Sequence, residues 1–421
     1  MWQPELEALD PERLQRLQLE RLQAMLGRLR RHPAWAGRLG DVRPEDLRTA
    51  DDWRRLPFLT KDELRDAYPF RLAAGDGYRR VQMSSGTTGH PILNPYTPAD
   101  VEQWGEVMAR CYVAAGVTRE DVVQVTPSFG LFTGGFGFHY GAERLGAMVV
   151  PTGAGRTSLQ LRLMRDLRAT VLTAIATYPL RLIEVAREEQ LDLGALALRV
   201  GILGSETWSD ELRARIEREL RIRTFDIIGM TETGGPGLGI DCQARAGIHV
   251  WEDHYFVEIV DPVTGAPRPD GEEGELVLST LTREGLPLVR YRTHDLTRVV
   301  ARGRCDCGRT MLRLDRLRGR TDDMVIYKGV NFYPGQIETL LLRHPSVGHE
   351  YQIVLDASDG GERMVVMVET EDGGAAAVAG LIRRELHDLL ALSPEVRLCA
   401  PGAIERAQGK AARVIDRRPR A

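Results

Sequence analysis

The 421-residue chain predicts an α/β fold: a large N-terminal domain with parallel sheets, helices and a β-rich subdomain, then a small α+β C-terminal domain. Three observations carry this expectation. Short apolar runs alternate with helical patterns from residue 81 to 230. The texture turns β-rich after residue 250. A separate strand-and-helix unit begins beyond Gly319, which sets the expected domains at 1–321 and 322–421. A chain this long also exceeds one ordinary core.

Residues 5 to 31 place Leu6, Leu9, Leu14, Leu17, Leu22 and Leu26 near helical spacing, so one long amphipathic helix is expected. Thr60, with Glu63 three residues on, reads as a capped helix start. "YRRVQM" is a short strand, and "SSGTTGHP" follows it, between that strand and a helix over 98–115. "DVVQVT" at 121, "AMVVPT" at 147, "TVLTAIAT" at 170, "LRVGILG" at 198 and "TFDIIG" at 224 read as strands, with helices over 158–168, 178–190 and 209–220. Buried strands alternating with helices call for a mostly parallel sheet covered on both faces. "HYFVEIVDPVTGAPRPDGEEGELVLSTL" reads as two strands around a Pro/Gly-rich hairpin, and "LVRYRTHDLTRVV" as another strand. The C-terminal unit reads strand, helix (334–343), two strands (349–370), helix (375–391), then strands.

Apolar residues make up 43% and charged residues 28%, with a net charge of −4, which fits a folded chain without a nucleic-acid footprint. No apolar run reaches the ~18 residues of a membrane span, and the charged N-terminus lacks a signal-peptide core. The five cysteines are too few and too unevenly spaced for a disulfide scaffold, which fits a reducing cytoplasm. Cys111 and Cys399 read as core residues.

Five stretches suggest chemistry. In "SSGTTGHP" the glycines let backbone N–H groups approach an anion, and the hydroxyls of Ser84, Ser85, Thr87 and Thr88 add donors. It is no Walker loop, because His90 rather than a lysine follows Gly89, and by itself the composition suits a linker equally well. Glu232 in "FDIIGMTETGG" lies past a strand ending at Ile228, where open α/β sheets bind ligands and a carboxylate can hold Mg²⁺ beside phosphate. It reads also as a helix-start glutamate. Asp295 in "RYRTHDLT" suits ribose hydroxyls or a turn. Arg318, Arg320, Asp322 and Asp323 surround a glycine at the domain boundary, as a hinge or as a charged linker. Lys410, after Gly409, is by itself a tail lysine.

In this order and at these separations the five stretches resemble the signature set of the adenylate-forming superfamily: acyl-CoA synthetases, nonribosomal adenylation domains and luciferases. The match is closest to the phenylacetate–CoA ligase family, strengthened by "YPF" at 68, "FGLFTGGFGFHYGAERLG" at 129 and "GKAARVIDRR" near the C-terminus. The resemblance implies an ATP- and Mg²⁺-dependent aryl or arylacetic acid:CoA ligase working through an acyl-AMP. An enzyme of the same fold that hands the acyl group to a carrier protein or an amine would share every adenylation residue. Implied partners are a small carboxylic acid, ATP and CoA (or a carrier protein), with no nucleic acid and no membrane; family members often form homodimers.

Carried over by residue, Ser84, Ser85, Gly86, Thr87, Thr88 and Gly89 would form the ATP phosphate loop. Ser205, Glu206, Asp226, Ile227, Gly229, Met230 and Thr231 would line the nucleotide site. Glu232 would coordinate Mg²⁺, Asp295 would bind ribose hydroxyls, and Arg320 would contact ribose or phosphate. Lys410 would be the catalytic lysine of adenylation, acting with Glu232 and Arg320. Phe129, Phe132, Gly204, Gly229 and Pro236 would line the acyl pocket. Asp322 would be the hinge of a mobile small domain, whose rotation withdraws Lys410 and presents the CoA region near Gly329 and Asn331. Two positions depart from the family pattern: His90 stands where a lysine is common, and Ile228 where an aromatic residue commonly stacks on adenine.

Cys242, His249, Cys305 and Cys307 form a set of three thiolates and an imidazole suited to structural zinc, with His254 a weaker candidate. The Cys-x-Cys spacing on a Gly-flanked turn can aim both sulfurs at one ion. The resemblance implies a structural metal in some family members. The same residues also read as reduced cysteines in a hairpin beside an unrelated histidine.

Overall fold

The computed structural model describes residues 1–84, 90–321, 323–328, 330–344, 346–358, 361–370, 376–405 and 413–418. The N-terminal segment breaks where its prolines fall. Helices α1 (Pro4–Glu7) and α2 (Pro11–Leu29) replace the single helix expected over 5–31. Pro11 has no N–H with which to continue a helix, whereas Asp10 caps a new one by accepting from Arg13 N–H at 2.9 Å. After the short α3 (Pro33–Ala36), Thr60 and Glu63 form the expected capping box at the start of α4 (Lys61–Asp66). Leu22, Leu26 and Leu29 of α2 bury with Trp35, Trp53, Leu288 and Tyr291 in one core, which welds the N-terminus onto the β-rich region.

Strands β1 (Arg80–Met83) and β2 (Leu93–Tyr96) form an antiparallel hairpin, with Met83 opposite Leu93. The Ser/Gly/Thr stretch therefore joins two strands rather than a strand and a helix. Pro95, disfavoured within strands, hides the four-residue β2 in the sequence. Helix α5 (Pro98–Ala114), capped by Thr97, comes next.

The expected alternation follows: β3 (Val122–Val125), α6 (Thr133–Leu145), β4 (Met148–Val150), α7 (Thr157–Asp166), β5 (Val171–Ile175), α8 (Tyr178–Glu188), β6 (Val200–Gly204), α9 (Asp210–Leu220) and β7 (Arg223–Met230). These strands pair in parallel in the order β4-β3-β5-β6-β7. Helices cover both faces, so adjacent residues serve different cores: Val171 packs with α5 and α6, Leu172 with α7, α8 and α9. The order doubles back at β3, which creates a switch point at the carboxyl ends of β3 and β5.

Strands β8 (Gly235–Asp241) and β9 (Ile248–Val250) extend this sheet in antiparallel fashion. A second sheet holds β10 (Tyr255–Val260), β11 (Gly274–Thr280) and β12 (Tyr291–Thr297). The chain then returns to the first sheet with β13 (Val299–Ala301) and β14 (Arg313–Leu314), and to the second with β15 (Gly319–Arg320). The run "LVRYRTHDLTRVV" is thus two strands in two sheets, parted at Arg298, whose side chain turns to Asp315 at 3.0 Å. The last unit comprises β16 (Val325–Tyr327), β17 (Val330–Phe332), α10 (Pro334–Leu341), β18 (Val347–Ser358), β19 (Gly361–Thr370), α11 (Ala376–Leu390), β20 (Glu395–Cys399) and β21 (Val414–Asp416). Its own core gathers Phe332, Ile337, Ile353, Ile382 and Leu386. Among the described residues no helix is long and apolar enough to cross a membrane.

Candidate active site and metal centre

Strand β7 runs on to Met230, past the end expected at Ile228, so Thr231 and Glu232 open the turn beyond its carboxyl end. Thr233 Oγ1 donates to Met230 O at 3.0 Å and Gly234 N–H to Thr231 O at 3.1 Å, which fixes that turn. Glu232 is 5% exposed. Its Oε1 accepts from the Tyr291 hydroxyl at 3.3 Å and lies 3.9 Å from Lys61 Nζ. Burial and the Glu232 carboxylate push the Tyr291 phenol well up, so it remains a donor. Lys61 is delivered by backbone pairing. Leu59 bridges β12, donating to Arg290 O at 3.0 Å and accepting from Arg292 N–H at 2.9 Å, and α4 starts immediately after. Neither Lys61 nor Tyr291 stands out in the sequence. "TKDEL" signals only a cap, and the tyrosine's proximity to Asp295 along the chain is the one available hint.

Farther along β12 the ladder bulges: Val277 pairs with Arg292, but Glu275 pairs with Leu296. His294 takes a left-handed φ of 66° there, and its Nδ1 lies 2.9 Å from Thr321 Oγ1. Bulges of this kind re-aim side chains beside functional sites. Asp295 sits opposite Arg320 in the β12–β15 ladder and accepts from its Nη1 at 2.9 Å. Arg320 Nε also lies 3.9 Å from Asp323 Oδ2. The predicted ribose-binding carboxylate and the predicted arginine are thus neighbours.

At the end of β6, Ser205 holds φ 71° with its side chain exposed. A non-glycine residue kept in that region costs on the order of 1 kcal/mol, and such strain concentrates at binding sites. Glu206 accepts from Thr177 Oγ1 at 2.9 Å. Gly204 and Gly229 are glycines because neighbouring backbone fills the space of a Cβ, Ile227 O at the first and Gly235 O at the second. Asp226 is committed to the fold: its Oδ2 accepts from Arg316 Nε at 3.1 Å, in a cluster with Asp241 and Arg213 around Trp208. Ile227 and Ile228 are buried in the main core.

Phe129 is half-buried and meets Phe136 edge-on, with ring centres 5.2 Å apart. Pro236 is held by Trp104, whose Nε1 donates to its carbonyl at 2.9 Å. Phe132 precedes α6 and is 46% exposed, so it stands at a rim rather than in an enclosed wall. His90 stacks on Tyr68 of "YPF", with centroids 4.9 Å apart and planes 19° apart. Ser84 closes the hairpin through two 3.0 Å bonds with Ile92, donating through its N–H and accepting at Oγ. Ser85, Gly86, Thr87, Thr88, Gly89, Asp322, Gly329 and Lys410 lie outside the described residues; Asn331 is on β17.

Cys242, His249, Cys305 and Cys307 come together with all donor atoms within 4.8 Å of one another. Cys242 follows β8, His249 lies on β9, and both other cysteines lie on the connection between β13 and β14, where Gly308 turns the chain at φ 89°. A tetrahedral zinc with Zn–S of ~2.3 Å and Zn–N of ~2.05 Å requires S···S of about 3.8 Å and S···N of about 3.5 Å. Cys242 and Cys305 Sγ are 3.8 Å apart, and Cys307 Sγ is 3.4 Å from His249 Nε2. The set fits such an ion. Hydrogen bonding from Cys242, with help from His249, pulls the Cys307 thiol far down, whereas Cys242 is pushed up. His254 belongs to another cluster, with Nδ1 2.8 Å from Thr282 Oγ1 and Nε2 3.3 Å from Asp253.

Residues 48–282 match the family described as AMP-binding enzyme, and residues 329–418 match the AMP-binding enzyme C-terminal domain. The phenylacetate-coenzyme A ligase of Escherichia coli (strain K12) is 39% identical over 428 residues, covering 98% of this chain and 97% of that protein. A 2-hydroxyisobutyryl-CoA ligase structure in the postadenylation state with 2-HIB-AMP superposes with a TM-score of 0.90 at 28% identity, covering 99% of this chain and 92% of that one. The same ligase with 2-HIB-AMP and CoA in the thioesterification state gives 0.73 at 28% identity, covering 98% and 91%. The chain belongs to the AMP-binding enzyme family, within its phenylacetate–CoA ligase group of AMP-forming acyl-CoA ligases.

Proposed function

We propose that this acyl-CoA ligase activates an aryl or arylacetic acid. The observation that carries the reading is the convergence of Glu232, Tyr291 and Lys61 beside the Asp295–Arg320 pair, at the carboxyl end of the central sheet. In the first step a substrate carboxylate oxygen attacks the α-phosphorus of ATP, and the bond to the β-phosphate oxygen breaks, giving acyl-AMP and pyrophosphate. That step drives two anions together. Lys61, Arg320 and the predicted Lys410 would offset the repulsion. Mg²⁺ held by Glu232 would supply Lewis-acid neutralisation of phosphate oxygens. Tyr291 would orient the Glu232 carboxylate, and Asp295 would take the ribose hydroxyls.

In the second step the CoA thiol attacks the acyl carbonyl, loses its proton, and AMP leaves. CoA is favoured over a carrier protein because the similar 2-hydroxyisobutyryl-CoA ligase was solved with CoA. An aromatic acid is favoured by the half-buried apolar ring of Phe129, which Phe136 holds edge-on. The hinge at Asp322 and the CoA region at Gly329 and Asn331 belong to this reading, as does zinc in the Cys3His set, with a structural task.

The test is ATP–pyrophosphate exchange across a panel of carboxylic acids, followed by CoA addition and thioester detection. Arylacetates are expected to give the highest kcat/KM. Exchange confined to aliphatic acids would overturn the aromatic assignment, and exchange without thioester would favour another acceptor.

A further inference from the structure

Behind Glu232 lies a buried polar network that makes no contact with its carboxylate. Asn94, on the strand that leaves the Ser/Gly/Thr loop, is fully buried. Its Nδ2 donates to Thr231 O at 2.5 Å and to Glu232 O at 3.2 Å, the carbonyls on either side of the Glu232 Cα. Its Oδ1 accepts from Arg283 Nη2 at 2.8 Å. Arg283 is 2% exposed, lies 4.3 Å over the Tyr96 ring, and has its Nε 3.8 Å from Asp100 Oδ1. Asp100 is itself anchored, accepting from Thr97, Glu284 and Gly285 N–H at 3.0, 2.9 and 2.8 Å. A cavity of about 10 Å³, room for a single water, touches Arg283, Asp100 and Thr233.

We infer that Asn94, oriented by Arg283, is a positioning residue that couples the phosphate-loop hairpin to Glu232. Only an amide side chain offers two donors to the two carbonyls and an acceptor to the guanidinium. With both flanking carbonyls gripped, the direction in which the Glu232 side chain leaves the turn is set by the same strand that leaves the loop. A carboxylate required at one angle to a phosphate-bound ion is sensitive to errors of about 1 Å, which can cost ~100-fold in rate. This inference rests on Glu232 acting in adenylation.

The experiment is a double-mutant cycle of Asn94→Ala and Glu232→Gln in the full-length protein. ATP–pyrophosphate exchange is read as a function of Mg²⁺ concentration. Thioester formation from supplied acyl-AMP and CoA is read alongside it. Asn94→Ala is expected to slow exchange 10- to 100-fold and raise the half-saturating Mg²⁺ concentration, with less than a twofold effect on thioester formation. In the Glu232→Gln background the same substitution is expected to cost less than about twofold, because the group it positions is gone. Arg283→Lys is expected to give a smaller loss of the same pattern. Should Asn94→Ala not fold, Asn94→Ser, which keeps one donor, carries the test. Unchanged exchange, equal loss of both half-reactions, or full additivity with Glu232→Gln would overturn the inference. Wild-type exchange and Mg²⁺ dependence in Glu232→Gln alone would instead sink the reading of Glu232 on which it stands.

Discussion

Zinc removal gives the sharpest test of the Cys3His set, because its consequence can be worked out from what the metal loop touches. The turn bearing Cys305 and Cys307 continues into Arg309 and Thr310. Arg309 Nε donates to the fully buried Glu7 carboxylate at 2.7 Å. Thr310 donates to Glu7 O at 3.1 Å and, through Oγ1, to Leu9 O at 2.5 Å. A metal ion held by the four donors would therefore brace the loop on which α1 docks. An ion binding only the native state at ~1,000 times its Kd adds about 4 kcal/mol. In a chain of 421 residues that lowers Tm on removal by about 5 °C. Elemental analysis is expected to give one zinc per chain. Cys307→Ser should lose the metal, lower Tm by that amount, and loosen α1 and the first turns of α2, opening Arg13 or Arg16 to trypsin. Metal-free protein with unchanged Tm and intact protease resistance would refute both the site and the bracing role.

Glu232→Gln should reduce pyrophosphate exchange by at least ~100-fold, and Lys61→Ala by ~10-fold or more, with thioester formation from supplied acyl-AMP retained. Equal effects on both half-reactions would contradict the assignment. Arg110 and Asp253 form a bidentate pair at 2.7 and 2.9 Å with both side chains fully buried. Arg110→Met should cost about 3 kcal/mol in urea denaturation by removing the bidentate partner of the buried aspartate and leaving it only Arg21 and His254, and adding Asp253→Asn should recover part of it; a loss under ~1 kcal/mol would refute the coupling. Burial raises the Glu252 carboxyl from its ordinary 4.5 to about 7, against a hydrogen bond from Leu312 N–H at 2.7 Å. A raised native pKa means the folded chain binds the extra proton between those values, so its contribution is full below 4.5 and lost as pH rises through 7. Glu252→Gln keeps the acceptor, and its stability relative to the native chain should rise by about 3 kcal/mol between pH 4.5 and 8. A pH-independent difference would refute the shift.

The βα alternation was legible because strands buried on both faces are continuous apolar runs, and prolines and capping boxes mark helix starts. The same signals went unread at Pro11, where periodicity on both sides concealed a break, and at β2, where a proline concealed a strand. The site was half legible. Glu232, Asp295 and Arg320 sit in recognisable stretches, and the structure brings the last two into contact. Lys61, Tyr291 and Asn94 could not be read, since each reaches the site through pairing between distant segments: Leu59 on β12, β12 beside the β7 turn, and β2 behind that turn. Asp226 shows the reverse case. Its place in the motif suggests the nucleotide site, while the bond that its carboxylate accepts from Arg316, ninety residues downstream, has no sign in the sequence.

How the two units meet bears on whether one site can serve two half-reactions. The better superposition on the postadenylation state than on the thioesterification state marks the arrangement seen here as one of at least two known for the fold. Among the described residues, the end of α10 meets the large unit through Leu342, partly buried against the core of α8 and α9, and through Arg343, whose Nε lies 3.6 Å from Glu211 Oε1. An exposed ion pair adds about 0–1 kcal/mol, and partial burial of one leucine about 1–2 kcal/mol. Reversing a two-state equilibrium from 1:99 to 99:1 needs ~5.5 kcal/mol of differential binding. These two contacts at the end of α10 are well within what a nucleotide, an acyl-adenylate or CoA can outweigh. On the proposed reading, the bound substrate would turn the small unit, and the two chemistries would be separated in time at a single Glu232-centred site.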